Sequence, residues 1–272
     1  MPELPEVETI RRELSQALVG EQIYSVEVHR PSVVHEDPTD FSRDLEGCFF
    51  QQVDRKGKYL IFQFSQGPAM LAHLGMSGKF ILDRTSDPTL QTHDRVVFTL
   101  KDQRLVFSES RCFGFLERTQ DVANHPRIKR LGFDGLDPNL KPHDLKQAWG
   151  KSNRSIKTLL LQQSPIAGIG NIYAAEILFG AKLHPETLGK NLGDQALTKL
   201  IDETRRILSL ALEHNGTSIS DYRRVDDKTG EFQNFLQVYG KTGQPCPVCA
   251  KPISRSVQAQ RSSFFCPDCQ KI

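Results

Sequence analysis

No stretch of this chain approaches the roughly 20 consecutive apolar residues that a bilayer-spanning helix requires. Its N-terminus carries acids where a signal peptide carries a positive segment followed by an apolar one. A cytoplasmic protein with no membrane partner is expected. Net charge is scarce too: 35 basic against 33 acidic side chains leave +2. A polyanionic partner therefore cannot be inferred from the total and has to be sought in local patches. Cysteine is sparse and uneven, with Cys48 and Cys112 standing alone and the remaining four all beyond position 245. A disulfide framework is a poor reading of that distribution in a cytosolic chain. Internal repeats and low-complexity tracts are missing as well.

What the chain does have is enough apolar content, 38% of 272 residues, for two domains that each bury a core. Its first eight residues, Met1-Pro2-Glu3-Leu4-Pro5-Glu6-Val7-Glu8, crowd two prolines and three carboxylates where most chains have a replaceable tail. As local structure this is a helix start: Pro5 suits the first turn, and Glu6 and Glu8 complement the positive end of the helix dipole. As chemistry, removal of Met1 ahead of a small residue leaves Pro2 with a secondary amine. An α-amino group of pKa about 8 is partly neutral, hence nucleophilic, at pH 7. Taken alone, the stretch leaves both readings open.

Apolar residues at Val7, Ile10, Leu14, Ala17 and Leu18 continue one helical face until Gly20. Short β-type runs follow at 23–28, 49–53, 59–64, 69–73, 79–82, 96–100 and 104–107, divided by turn signals such as Gln66-Gly67-Pro68, with no helical segments between them. They predict an antiparallel sandwich or barrel. Around 125–142 the pattern breaks into Pro, Gly, Asp and Lys. Helical periodicity then takes over at 146–163, 171–179 and 196–212. The expected class is α+β: an N-terminal antiparallel β-sandwich domain flanked by helices over 1–132, a linker over 133–145, a helical domain over 146–238 and a terminal module over 239–272. A long polar stretch between Asn215 and Phe235 is of the kind that is uncommon unless mobile or functional.

Cys246-x-x-Cys249 and Cys266-x-x-Cys269 have the paired spacing of two turns meeting around a tetrahedral Zn²⁺, and four thiolates leave no open position for catalysis. A structural zinc is expected. Residues 253–257 and 263–265 read as a hairpin with Arg261 at its tip, either solvated or presented to a phosphate. Basic patches lie at Lys151, Arg154 and Lys157 and over 236–272, where five basic residues face the single Asp268. Gly168-Ile169-Gly170-Asn171 lies between two apolar helices, where glycines permit either a phosphate contact at the next helix start or simple close packing. The turns His73-Leu74-Gly75-Met76-Ser77-Gly78 and Ser110-Arg111-Cys112-Phe113-Gly114 each set a large side chain among small ones. Met76 and Phe113 either fold back on the sheet or stand out as wedges for a base stack.

The whole chain resembles one family, the bacterial formamidopyrimidine-DNA glycosylases. The resemblance rests on MPELPEVET at the start, RKGKYL at 55–60, HLGMSG at 73–78, RCFG at 111–114, GIGNIYAAE at 168–176, and LQVYGKTGQPC with the four-cysteine finger. It implies excision of oxidised purines from double-stranded DNA and cutting at abasic sites by a monomer. It further implies a helix–two-turn–helix in the helical domain. Pro2 would be the nucleophile and Glu3 the acid on the sugar; Glu6 would position both helix start and sugar, and Lys58 would contact a phosphate and donate a proton. Met76, Arg111 and Phe113 would fill the gap left by the everted base. His73, His93, Arg154, Lys157, Asn171 and Tyr239 would contact DNA, and Arg261 would clasp the backbone and take part in the last elimination. Zinc would be structural, with no Mg²⁺ or nucleotide cofactor. The chain departs from the family at Glu109-Ser110-Arg111-Cys112, where Asp, a small residue or Pro, Arg and a basic residue are more usual. The missing charge at 112 predicts modestly weaker phosphate affinity. Two other readings remain: a sister glycosylase of the endonuclease VIII type for oxidised pyrimidines, disfavoured by Leu4 and the Met76, Arg111, Phe113 set, and a non-enzymatic zinc-ribbon DNA-binding protein, disfavoured by Pro2, Glu3, Glu6 and Lys58, since a binder has no need for acids at the DNA face.

Overall fold

In the computed structural model, helix α1 (Leu4–Leu18) carries the second proline of the N-terminal stretch, Pro5, in its first turn. Its cap is a carboxylate: the Glu3 amide donates to Glu6 Oε2 at 2.8 Å, satisfying an amide that would otherwise lack a partner at the helix start. The structure describes residues 1–83, 89–218, 225 and 229–272, and these fall into two compact units. The first holds 1–129 with 214–231; the second holds 130–213 with 232–272.

In the first unit α1 is followed by β1 (Ser25–Val28), α2 (Pro38–Leu45), β2 (Phe50–Lys56), β3 (Tyr59–Phe64), β4 (Ala69–His73), β5 (Lys79–Asp83), β6 (Asp94–Thr99), β7 (Arg104–Ser108), β8 (Phe115–Thr119) and the single turn α3 (Pro126–Lys129). Two four-stranded sheets form, in the orders β1-β6-β7-β5 and β2-β3-β4-β8, and every pairing within them is antiparallel. Period-2 alternation turns Leu60, Phe62, Met70 and Ala72 of one sheet and Phe80, Phe98, Leu105 and Phe107 of the other into one core, which α1 closes with Val7, Ile10, Leu14 and Leu18. The Phe62 and Phe80 rings meet across it at 5.4 Å.

Two elements correct the sequence reading. Helix α2 lies between β1 and β2, where no helix is expected. Asp37 caps it, accepting from the Thr39 and Asp40 amides at 2.9 and 3.1 Å, and Phe41 and Leu45 supply its buried side. Strand β8, also unforeseen, has only Phe115 and Leu116 buried, while its polar Arg118 pairs with Glu36 and Asp44.

The second unit runs β9 (Phe133–Asp134), α4 (Pro142–Trp149), α5 (Ile156–Leu160), β10 (Ile166–Ala167), α6 (Asn171–Ala181), α7 (Asp194–Glu213), β11 (Ser254–Gln258) and β12 (Arg261–Phe265). The helical run expected over 146–163 is broken, with α4 ending at Trp149, capped by Gly150, and α5 starting after Ser155. The segment expected to be a linker is pinned. Phe133 and Asp134 pair in parallel with Ile166 and Ala167, and Arg205 Nη2 donates to the carbonyls of Asp137 and Leu140, each at 2.9 Å. Helix α7 is amphipathic, burying Leu197, Leu200, Ile201, Ile207 and Leu208. The polar stretch after Asn215 begins within the first unit, and most of its middle, 219–224 and 226–228, lies outside the described residues.

Candidate active site

Pro2, Glu3 and Glu6 are all buried. Glu6 Oε2 takes the Glu3 amide, while Oε1 takes the Thr217 amide at 2.7 Å, so one carboxylate ties the residue after Pro2 to a segment distant in sequence. Gly216 is what allows the approach. Its φ is +78°, and a Cβ there would lie 2.7 Å from Glu6 Oε1. Lys58 follows the left-handed Gly57 (φ +57°) in the β2–β3 turn and is buried. Arg55 Nη1 donates to the Gly57 carbonyl at 2.9 Å and Arg55 Nε to Glu8 Oε2 at 3.0 Å, which joins the Lys58 turn to α1. Burial acts to raise the Glu8 carboxyl, but the hydrogen bonds and charges of Arg11 and Arg55 outweigh it and hold the group below its ordinary value.

His73 ends β4. Its Nδ1 accepts from the Gly75 amide at 3.0 Å, which requires that nitrogen to be unprotonated. The ring lies against Tyr59 (4.9 Å) and Phe115 (5.8 Å). Burial, then the charges of Lys58 and Arg127, lower its pKa to about 4. His73 thus shapes the turn that carries Met76. Met76 and Phe113 do not fold back on the sheet: they are 41% and 58% exposed. The Arg111 guanidinium sits 5.0 Å from the Phe113 ring centre. Between the two turns lies the buried carboxylate of Glu109, which the sequence reading treats only as a departure from the family pattern. Cys112, with φ +53°, is half-buried against the sandwich core. His93 is exposed on the same unit, its Nδ1 3.2 Å from Arg95 Nη2.

The second unit gathers Lys157, Asn171, Tyr239 and Arg261 around the β11–β12 hairpin. Arg261 opens β12 opposite Gln258, beside the two-residue turn Ala259-Gln260, whose φ values of +46° and +61° suit a tight hairpin. Its side chain is exposed. Lys157, expected on the surface, is only 1% exposed, and its Nζ donates to the Ser262 carbonyl at 2.6 Å and to Ser263 Oγ at 2.7 Å. Burial, then the charge of Arg261, lower its pKa to about 8. Asn171 Nδ2 reaches the same Ser262 carbonyl at 3.1 Å from the first turn of α6. Ahead of it Gln163 frames the glycine turn from both sides, accepting from the Gly168 amide (2.9 Å) and donating to the Ile169 carbonyl (2.7 Å). Tyr239 packs edge-on against Phe264 at 5.0 Å. Its amide and those of Gln237 and Val238 all donate to Glu176, a buried residue of α6 to which the sequence reading gives no role. Arg154 is exposed.

The four cysteine sulfurs lie within 4.8 Å of one another, with Cys246–Cys269 at 3.9 Å and Cys249–Cys266 at 3.4 Å. A tetrahedral site with metal–sulfur bonds of about 2.3 Å has sulfur–sulfur edges of about 3.8 Å, so the four sulfurs are near enough to one another to share one four-coordinate metal.

Comparison with known proteins gives three family models in chain order: the formamidopyrimidine-DNA glycosylase N-terminal domain over residues 1–116, its H2TH domain over 131–223, and a zinc finger found in FPG and IleRS over 243–272. A formamidopyrimidine-DNA glycosylase from Streptococcus thermophilus is 42% identical over the full length of both chains, and one from Streptococcus mutans is 41% identical over the same extent. Among solved structures, a variant of the Lactococcus lactis enzyme in complex with DNA containing Fapy-dG superposes with a TM-score of 0.94 at 36% identity, covering 100% of both chains. The Lactococcus lactis protein with abasic-site DNA gives 0.93 at 36% identity, covering 99% of this chain and 100% of that one.

Proposed function

The chain belongs to the formamidopyrimidine-DNA glycosylase family, and from that premise we propose that it excises oxidised purines from duplex DNA and then cuts the strand at the resulting abasic site. The observation that carries the reading is the N-terminus: a buried Pro2 and Glu3 whose backbone is fixed by Glu6. With Met1 removed, the Pro2 nitrogen lone pair attacks the deoxyribose C1′. The bond to the damaged base breaks, and the base leaves with a proton. Glu3 protonates the ring oxygen, the ring opens, and a secondary amine gives an iminium without further proton loss. The iminium acidifies the neighbouring carbon, so β-elimination and then δ-elimination release both phosphates. Lys58 serves as a phosphate partner and proton donor in these steps, and Arg261 clasps the backbone and takes part in the last elimination through its fixed charge. Met76, Arg111 and Phe113 enter the stack as the base leaves it, and their exposure supports that role. His93, Arg154, Asn171 and Tyr239 are assigned to the DNA backbone, and the zinc held by the four cysteines is structural. Lys157 is better placed to hold the Arg261 hairpin than to touch DNA. No Mg²⁺ or nucleotide enters any step.

The reading is tested with a duplex carrying 8-oxoguanine opposite cytosine. Borohydride added during turnover should trap a covalent adduct, and Pro2→Gly should abolish it; tight binding with neither adduct nor strand cut would overturn the assignment. The Lactococcus lactis enzyme has also been solved with DNA containing an oxidised pyrimidine, so a thymine glycol duplex belongs in the same assay. Faster excision of that lesion would reassign the substrate to pyrimidines.

A further inference from the structure

Both turns that carry the exposed Met76, Arg111 and Phe113 are fastened to one buried carboxylate. Glu109 is 0% exposed. Its Oε1 accepts from the Ser77 hydroxyl and from the Arg111 amide (2.9 Å), and its Oε2 accepts from the Gly114 amide (2.8 Å). The Ser110 hydroxyl donates to Ser77 Oγ at 3.0 Å, adding a second tie between the turns. Two glycines let them close on each other. A Cβ at Gly75 would lie 2.4 Å from the Gly114 nitrogen, and one at Gly114 would lie 2.8 Å from Glu109 Oε2. Glu109 is itself anchored beyond the end of β7, its amide donating to the His93 carbonyl at 2.9 Å and its carbonyl accepting from Arg95 Nε at 2.6 Å.

Burying a carboxylate is costly unless its oxygens are filled, and here three donors from two separate turns fill them. We propose that Glu109 is the positioning residue for base eversion: it locks Met76, Arg111 and Phe113 into one preformed wedge, so that ordering them is not left to the moment of DNA entry. The proposal rests on the glycosylase reading above. It assigns Glu109 no contact with the reacting sugar, which separates its effects from those of Pro2, Glu3 and Lys58.

The test compares single-turnover rates of wild type, Glu109→Gln, Glu109→Asp and Ser77→Ala on two duplexes. One carries 8-oxoguanine opposite cytosine; the other carries a preformed abasic site, in which no base has to leave the stack. The Gln amide turns an N–H toward an N–H of the turns, so lesion excision should fall about 30-fold, while abasic-site cutting falls no more than about threefold. Fluorescence of a 2-aminopurine beside the lesion, which reports unstacking, should slow by the same factor as excision. Glu109→Asp keeps the charge and should restore most of the lost ratio between the two substrates. Equal losses on both duplexes, or no loss on either, would overturn the assignment. Should Glu109→Gln fail to fold by circular dichroism, Ser77→Ala decides, because it leaves the carboxylate its two backbone donors: a ratio lowered about threefold supports the tie, and an unchanged ratio in the folded variant refutes it. A wild type inactive on both duplexes would remove the glycosylase reading and this proposal with it, an outcome distinct from wild-type activity with an unaltered ratio.

Discussion

Replacing Lys157 by Met should make the protein more stable at pH 7 and less stable at pH 10.5. The ammonium is buried, and its pKa is lowered from 10.5 to about 8. A folded-state pKa below the unfolded one means that the unfolded chain binds the proton more tightly. Lysine's contribution is therefore fully present above pH 10.5 and is lost as pH falls to about 8. Carrying the charge at pH 7 costs about 3 kcal/mol on this shift. Met keeps most of the stem volume but forfeits the bonds to the Ser262 carbonyl and Ser263 Oγ, about 1–2 kcal/mol together. The Ser262 carbonyl still has Asn171 as a donor, so no acceptor there is stranded. The balance is a gain of about 1–2 kcal/mol at pH 7 that reverses to a similar loss once the lysine is neutral in both states. Trp149, the chain's single tryptophan and a buried residue of the same unit, reports the transition in urea by fluorescence. Lys157→Met destabilised equally at both pH values would refute the reasoning. Strand cutting should drop in the same variant, because the hairpin that presents Arg261 loses a tie.

Other consequences can be checked separately. The depressed pKa of His73 predicts that the first unit loses stability as pH falls from 6.5 toward about 4, and His73→Gln should flatten that arm of a pH–stability curve; an unaltered slope would count against a neutral His73. Stripping metal with a strong chelator at low denaturant should unfold the hairpin module and abolish DNA cutting. The core beneath the cysteines, Ala175, Phe179, Val238 and Ile253, is too small to hold the module unaided, and metal content should be one zinc per active chain. Circular dichroism and activity unchanged after removal would contradict this. Gly132→Ala should cost at least about 2 kcal/mol in Trp149-monitored unfolding, since its Cβ would fall 1.9 Å from the Pro165 carbonyl oxygen, where backbone must move.

The sandwich was legible where apolar runs end on strong turn residues: β3 and β4 match the expected ranges 59–64 and 69–73 because Gly57, Gly67 and Pro68 bound them. Helix α2 was hidden because only Phe41 and Leu45 face the core, while its decisive signal, the Asp37-Pro38 cap, is short and polar. The two exposed wedge residues could be singled out as large side chains among small ones. Which way they point depends on Glu109, and nothing local announces that an acid on a loop will be buried by donors from another turn. Lys157 was read as surface charge, as lysine usually is. Its burial is set by Ser262 and Ser263, 105 and 106 positions away, and no periodicity encodes such a contact. The cysteine cluster was legible from spacing alone because two Cys-x-x-Cys turns already fix most of the geometry a four-coordinate metal needs.

The central claim is that the amine of Pro2 carries the sugar during catalysis. Borohydride-reduced adducts with an 8-oxoguanine duplex, digested with nuclease and protease and sequenced by mass spectrometry, locate the bond directly. The reduced sugar should sit on the nitrogen of a peptide beginning at Pro2, with Met1 gone from every adducted chain. A sugar found on the Lys58 side chain, or active protein in which every chain retains Met1, would contradict it.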